Sequence, residues 1–117
     1  MTYATPVRDM RFALDQMVGF PALLRSGAYP ELSGDMVEAI LSEAAKFCDQ
    51  VVAPLNRGSD QTPSRLDNGV VRTSPGFKDA YRQYVEGGWN SLAFPEEWGG
   101  QGLPSTLANA LVDALNG

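Results

Sequence analysis

The stretch SGDMVEAILSEAAKFCDQVVAPLNRG, from Ser33 to Gly58, decides the fold because it carries the most continuous amphipathic pattern in the chain. Ser33 can cap a helix, and Asp35 and Glu38 lie in the first turn, where the helix dipole favours negative charge. Pro54 either ends or kinks this helix, and Gly58 stops it. The apolar residues recur at helical spacing and predict one buried stripe, formed by Val37, Ile40, Leu41, Ala44, Cys48, Val51, Val52 and Leu55.

A helix is also predicted before this stretch, by TPVRDMRFALDQMV. Thr5 can cap it, and Pro6 suits the first helical position because its missing N–H would be unpaired there. Residues 19–21, Gly-Phe-Pro, end it, and a short helix around residues 22–25 can follow. The predicted core side chains of the first helix are Val7, Met10, Leu14, Met17 and Val18.

Two more helices are predicted towards the C-terminus. In SPGFKDAYRQYVEGG, Ser74 caps, Pro75 takes the first helical position and residues 87–88, Gly-Gly, end the helix. Its predicted buried face consists of Phe77, Ala80, Tyr81, Tyr84 and Val85. In LPSTLANALVDALNG, the helix starts near Pro104 or Ser105. Its predicted buried face consists of Leu107, Ala108, Leu111, Val112 and Leu115.

Strand structure is predicted at one place only. The dipeptide Asn68-Gly69 separates residues 65–66 from residues 70–71, and both of its residues tolerate the positive φ of a type I′ turn. We expect a short two-stranded ribbon or an extended loop near residues 65–72, since an isolated hairpin is marginally stable. The fold class is therefore all-α, a small array of about four main helices with a short β-hairpin.

Composition excludes several classes of function. The chain has 117 residues, about one domain, and a net charge of −5 that argues against binding to nucleic acid or to an anionic membrane. Histidine is absent, which excludes Ser-His-Asp and Cys-His catalysis within these residues. A single cysteine and the lack of a secretory signal pattern at the start predict a cytoplasmic protein.

The residues 100–105, Gly-Gln-Gly-Leu-Pro-Ser, fall one glycine short of the dinucleotide-binding pattern G-x-G-x-x-G. That pattern requires a preceding strand and a later acidic residue, and neither is evident, so a structural turn anchored by Trp98 is favoured. Glu96 and Glu97 are adjacent and point in different directions, which favours solvated carboxylates over a catalytic pair.

Other reactive or aromatic side chains have structural interpretations. Cys48 lies on the apolar stripe without a basic neighbour on its face, which predicts an inert buried thiol. Tyr81 and Tyr84 are predicted to pack in the core. Trp89 and Trp98 can each be exposed at an interface or pin a loop, and both alternatives stay open. We therefore assign no catalytic, cofactor-binding or metal-binding residue.

The segment GWNSLAFPEEWGGQGLP, preceded by PGFKDAYRQYVEGG, resembles the N-terminal helical domain of acyl-CoA dehydrogenases. The positions that match the family motif are Pro95, Glu96, Glu97, Trp98, Gly99, Gly100, Gly102, Leu103 and Pro104. Trp98 stands where tyrosine or phenylalanine is more usual. The opening YATPVRDMRFALDQMVGF is similar to a bacterial branch of the family that includes enzymes acting on 3-methylmercaptopropionyl-CoA and related enzymes.

The resemblance implies that residues 1–117 form the N-terminal helical domain of a longer FAD-dependent enzyme. Such enzymes add a β-domain and a C-terminal helical domain, which hold FAD and a catalytic glutamate. They oxidise an acyl-CoA to the 2,3-enoyl-CoA, pass electrons to an electron-transfer acceptor and form homo-oligomers. We accordingly expect a fragment that is inactive and binds no FAD by itself, and that associates through an exposed apolar face. The alternative is a stand-alone helical interaction module without catalysis.

Overall fold

A computed structural model describes residues 2–117. Its regular elements are α1 (Val7–Phe12), α2 (Phe20–Arg25), α3 (Gly34–Phe47), α4 (Leu55–Gln61), β1 (Arg65–Asp67), β2 (Val70–Arg72), α5 (Phe77–Glu86) and α6 (Ser105–Asn116). Two π-helical turns, Ala13–Met17 and Cys48–Val52, continue α1 and α3. Two 3₁₀ turns, Trp89–Ser91 and Glu96–Trp98, lie between α5 and α6. The predicted all-α class with one hairpin is confirmed.

Helix α3 is the centre of the packing, as its apolar stripe predicts. Its N-cap is confirmed, since the backbone N–H of Met36 donates to the Ser33 hydroxyl at 3.2 Å. One cluster of buried side chains joins α3 to α1, α2 and α6, and consists of Leu14, Phe20, Leu32, Val37, Leu41 and Leu107. A second cluster joins the other end of α3 to α6 and consists of Ala44, Cys48, Leu92, Leu111 and Ala114.

The N-terminal helix differs from its prediction. Thr5 does not cap α1; instead its N–H and hydroxyl both donate to Oδ1 of Asp49, at 2.8 and 2.7 Å. The π turn Ala13–Met17 departs from the 3.6-residue period of an α-helix, and Met17 and Val18 are exposed rather than buried. Phe20 was predicted to end a helix, but it begins α2 and is only 2% exposed.

The end of the long helix was predicted only in part. The π turn closes at Val52, Pro54 follows, and a separate helix α4 begins at Leu55. The prediction that Gly58 stops the helix is wrong, because α4 continues to Gln61. Val52 and Leu55 are half-buried, so the apolar stripe weakens where it passes the core and reaches the surface.

The hairpin prediction is confirmed. Asn68 and Gly69 have φ values of 50° and 79°, as a type I′ turn requires. The strands pair antiparallel, with Arg65 opposite Arg72, Leu66 opposite Val71 and Asp67 opposite Val70. All six strand residues are exposed.

Helix α5 corrects two predictions. Ser74 is buried but its side chain caps nothing, Pro75 precedes the helix, and Gly76 is the N-cap in the left-handed conformation. The predicted buried face is confirmed only in part: no residue of α5 is fully buried, but Ala80 and Tyr84 are half-buried and Tyr84 packs against the second cluster. Phe77, Tyr81 and Val85 are all exposed. The helix does end at Gly87 as predicted.

Helix α6 follows its prediction more closely. It begins at Ser105, and Leu107 and Leu111 are buried against α3. Val112 is half exposed, and Ala114 is buried instead. Residues 107, 111 and 114 lie on one face of the helix. Val112 lies about 100° around the helix axis from Leu111 and is therefore outside that face.

Candidate functional site

The glycine-rich turn between Trp98 and α6 is closed by its own backbone hydrogen bonds. The N–H groups of Gly100, Gln101 and Gly102 donate to the carbonyl oxygens of Pro95, Ser91 and Phe94, at 2.9 to 3.1 Å. A phosphate-binding loop needs such N–H groups to point at the ligand. The turn therefore does not fit the pyrophosphate of FAD, and its interpretation as a structural turn agrees with the geometry.

Trp98 does not anchor this turn. Its side chain is 81% exposed, and Phe94 beside it is 57% exposed. The turn is instead held by main-chain contact, since a Cβ on Gly100 would lie 2.0 Å from the Phe94 oxygen. Only glycine permits this close approach of two backbone segments.

Trp89, in contrast, packs inward. Its ring stacks on Phe47 with ring centroids 6.4 Å apart, and Phe47 also contacts Tyr84 at 6.1 Å. The three rings join α3, α5 and the 3₁₀ turn that follows α5. Phe47 lies outside the predicted stripe, so the helical pattern of α3 alone did not reveal this contact.

Glu96 and Glu97 lie on the 3₁₀ turn Glu96–Trp98, and both are exposed. Across residues 2–117, no group of three or more histidine, cysteine or acidic residues converges to hold a metal ion. Nor does any described helix have the length and apolar character needed to cross a bilayer.

An open groove of about 950 Å³ lies between α4, α5 and the end of α6. The π turn Cys48–Val52 and α4 form one wall of the groove, α5 forms a second wall, and the end of α6 forms a third. Most of the lining is apolar and includes Phe47, Val52, Leu55, Phe77, Tyr81, Tyr84 and Leu115. The predicted core residue Tyr81 thus lines the groove and is exposed, whereas Tyr84 lines the groove and also packs against the second cluster.

The molecule is flat and extended. Its Cα atoms span 53 × 38 × 18 Å with a radius of gyration of 16.4 Å, against about 13 Å for a compact domain of this length. An 18 Å thickness accommodates little more than one layer of helices, which each measure about 10 Å across. The exposed side of α5 and the groove follow from this thinness, because no second layer covers them.

Cys48 is buried in the cluster between α3 and α6, at 1% exposure. Burial, followed by the negative charge of Asp49, raises the pKa of its thiol from 9.0 to about 11. Because burial and a neighbouring carboxylate both disfavour the thiolate, the side chain is unsuited to act as a nucleophile. The predicted inert thiol is consistent with this environment.

We expect Ellman's reagent to label Cys48 at pH 8 about 100-fold more slowly in the folded chain than in urea, since two pKa units lower the thiolate fraction by that factor. Between pH 9 and 11 the unfolded thiol ionises while the folded one stays protonated. Stability should therefore fall as the pH rises through this window. Equal labelling rates in the folded and unfolded chain would contradict the assignment.

Comparison with known proteins gives a consistent set of relatives, although no protein-family model matches the chain. It is 40% identical over 116 residues to a 3-methylmercaptopropionyl-CoA dehydrogenase of Ruegeria pomeroyi. These 116 residues are 99% of this chain. It is 26% identical over 117 residues to the broad-specificity linear acyl-CoA dehydrogenase FadE5 of Mycobacterium tuberculosis. It is 31% identical over 90 residues to a butyryl-CoA dehydrogenase of Syntrophomonas wolfei. The chain spans 20%, 19% and 15% of these relatives, about a fifth of their length or less.

Proposed function

Because this chain belongs to the acyl-CoA dehydrogenase family, we propose that it forms the N-terminal helical domain of an enzyme that oxidises an acyl-CoA thioester to its 2,3-enoyl-CoA. The observation that carries the proposal is the 40% identity to the Ruegeria pomeroyi enzyme over 116 residues. That relative also suggests the substrate, 3-methylmercaptopropionyl-CoA, for the parent of this chain.

The role of the domain is structural. The clusters around α3 hold α1, α2 and α6 in one rigid layer, and the groove presents aromatic side chains to whatever packs against it. We propose that this layer forms one wall of the acyl cleft. Rigid walls of this kind contribute to catalysis by positioning the substrate.

FAD, when bound to the parent enzyme, accepts the hydride that leaves the substrate. The N–H groups of residues 98–103 all donate to main-chain carbonyl oxygens and are therefore not available to its pyrophosphate. We therefore place the flavin, the catalytic base and the contact with the electron-transfer acceptor outside these 117 residues. Homo-oligomer formation through those further regions and a cytoplasmic location belong to the same proposal.

A chimaera tests the proposal directly. This chain would replace the 116 matched residues of the Ruegeria pomeroyi enzyme, and flavin content and acyl-CoA oxidation would be measured with an artificial electron acceptor. We expect a flavin-loaded enzyme whose kcat/KM lies within about tenfold of the unaltered relative, a loss of about 1.4 kcal/mol or less in transition-state stabilisation.

The matched controls are two chimaeras that differ from the first at one glycine. Gly58→Ala should keep flavin and activity, because a Cβ at that position would meet nothing within 4 Å. Gly100→Ala should keep flavin, which the proposal places outside these residues, but should lower acyl-CoA oxidation, because the backbone of the turn must move apart around a Cβ. A folded, flavin-loaded chimaera without acyl-CoA oxidation would overturn the proposed function.

The exposed face of α5 also favours a second candidate, the helical interaction module without catalysis. Reading the coding DNA past Gly117 separates the two. A reading frame that continues into a flavin-binding region supports the enzyme, whereas an immediate stop codon together with a dedicated protein partner supports the module.

A further inference from the structure

The hairpin at residues 65–72, here called the basic hairpin, has exposed strand residues on both sides. Leu66 and Val71 lie opposite each other on one side and are 73% and 66% exposed. Val70, 48% exposed, lies on the other side of the ribbon. Since a lone two-stranded ribbon is marginally stable in water, apolar residues on both sides point to a partner that covers it.

The side of the ribbon that carries Val70 is also positively charged. Arg65 and Arg72 are directly opposite in the ladder, where like charges destabilise the pair. Neither forms a hydrogen bond or ion pair through its side chain within residues 2–117. Asp67 shares this side and leaves it with a net charge of +1. In a chain whose total charge is −5, this is an excess of positive charge on an exposed surface.

A complementary surface lies elsewhere on the same chain. Residues 94–98, here called the acidic turn, present Glu96 and Glu97 beside the exposed rings of Phe94 and Trp98. The side chains of both glutamates form no hydrogen bond or ion pair in the described part of the chain. The surface therefore combines two free carboxylates with two uncovered aromatic side chains.

We propose that the basic hairpin of one copy of this chain docks on the acidic turn of a second copy. Opposed strand residues have Cα atoms about 4.5 to 5.5 Å apart, and consecutive residues have them 3.8 Å apart. Because Glu96 and Glu97 point in different directions, one carboxylate of the turn pairs with the two guanidinium groups, which also stack on an aromatic face such as that of Trp98. Val70 then meets the rings of the turn.

The contact joins two different surfaces, so it is heterologous and builds rings or chains rather than closed two-fold dimers. It is distinct from the proposed catalytic role, and it concerns residues outside the groove. Charge complementarity distinguishes this occupant from a purely apolar one, because a neutral partner would leave the opposed arginines uncompensated.

The test uses reciprocal charge reversal in the 117-residue chain. One variant carries Arg65→Glu and Arg72→Glu, and the other carries Glu96→Arg and Glu97→Arg. Each variant alone brings like charges together at the contact, and we expect its self-association to weaken at least tenfold in sedimentation velocity. An equimolar mixture restores opposite charges at every contact and should associate as the unaltered chain does.

Two further readouts belong to the same experiment. Circular dichroism should show equal helix content in both variants, since the substituted residues are exposed. Raising the salt from about 0.1 M to about 1 M shortens the screening length from about 10 Å to about 3 Å and should dissociate the unaltered assembly. Trp98 should give a blue-shifted emission on association, and Trp98→Ala should remove that shift.

Each of three results would overturn the proposal. In the first, the unaltered chain is monomeric at every concentration tested. In the second, either variant associates as strongly as the unaltered chain. In the third, the mixture stays monomeric although both variants are folded. A chimaera that binds flavin but does not oxidise acyl-CoA would, in contrast, contradict the proposed function. It would leave the proposed contact between copies unaffected.

Discussion

Phe20→Ala is expected to lower the free energy of unfolding by about 4 kcal/mol, the range for truncating a buried phenylalanine. Phe20 is 2% exposed and lies in the cluster that joins α1, α2, α3 and α6. Removal of its ring leaves a cavity between helices that have no second layer to close over it. A loss of this size is a large part of the stability of a small domain. Urea unfolding followed by circular dichroism measures it.

Phe12→Ala is the matched control, since it removes the same side chain from a site that is 62% exposed. We expect a change within about 0.5 kcal/mol, as for most surface substitutions. Equal losses for the two variants would show that Phe20 is not a core residue. They would also contradict the arrangement of α2 on α3.

Gly100→Ala is expected to lower the free energy of unfolding by about 3 kcal/mol, at the upper end of the range for overpacking. The added Cβ would lie 2.0 Å from the Phe94 oxygen and 2.4 Å from its carbonyl carbon. The backbone must move apart, which weakens the 2.9 Å hydrogen bond from the Gly102 N–H to the same oxygen. Thermal or urea unfolding measures the loss.

Gly58→Ala is the same chemical change, but it is expected to raise the free energy of unfolding instead of lowering it. Gly58 lies inside α4, and a Cβ there meets nothing within 4 Å. Because alanine is the better helix former, we expect a gain of about 0.5 to 1 kcal/mol. A loss at Gly58 equal to that at Gly100 would mean that the tight turn is not the cause.

The candidate site could be predicted from the sequence only in part. The sequence of residues 94–104 predicts a turn, because its glycines and prolines determine the backbone conformation locally. The sequence did not show that Trp98 points to solvent while Trp89 stacks on Phe47. Both tryptophans stand next to a glycine, and only distant residues decide which ring is covered.

The same division applies to the fold. By itself the sequence determined the cap at Ser33, the type I′ turn at Asn68-Gly69 and the start of α6, since each depends on hydrogen bonds or φ preferences within a few residues. The tertiary structure alone decided that Phe20 is buried and that Tyr81 is exposed. An amphipathic pattern shows which side of a helix is apolar, whereas burial requires a neighbour to cover that side. Helix α5 has such a pattern, and nothing in the described chain lies over its outer side.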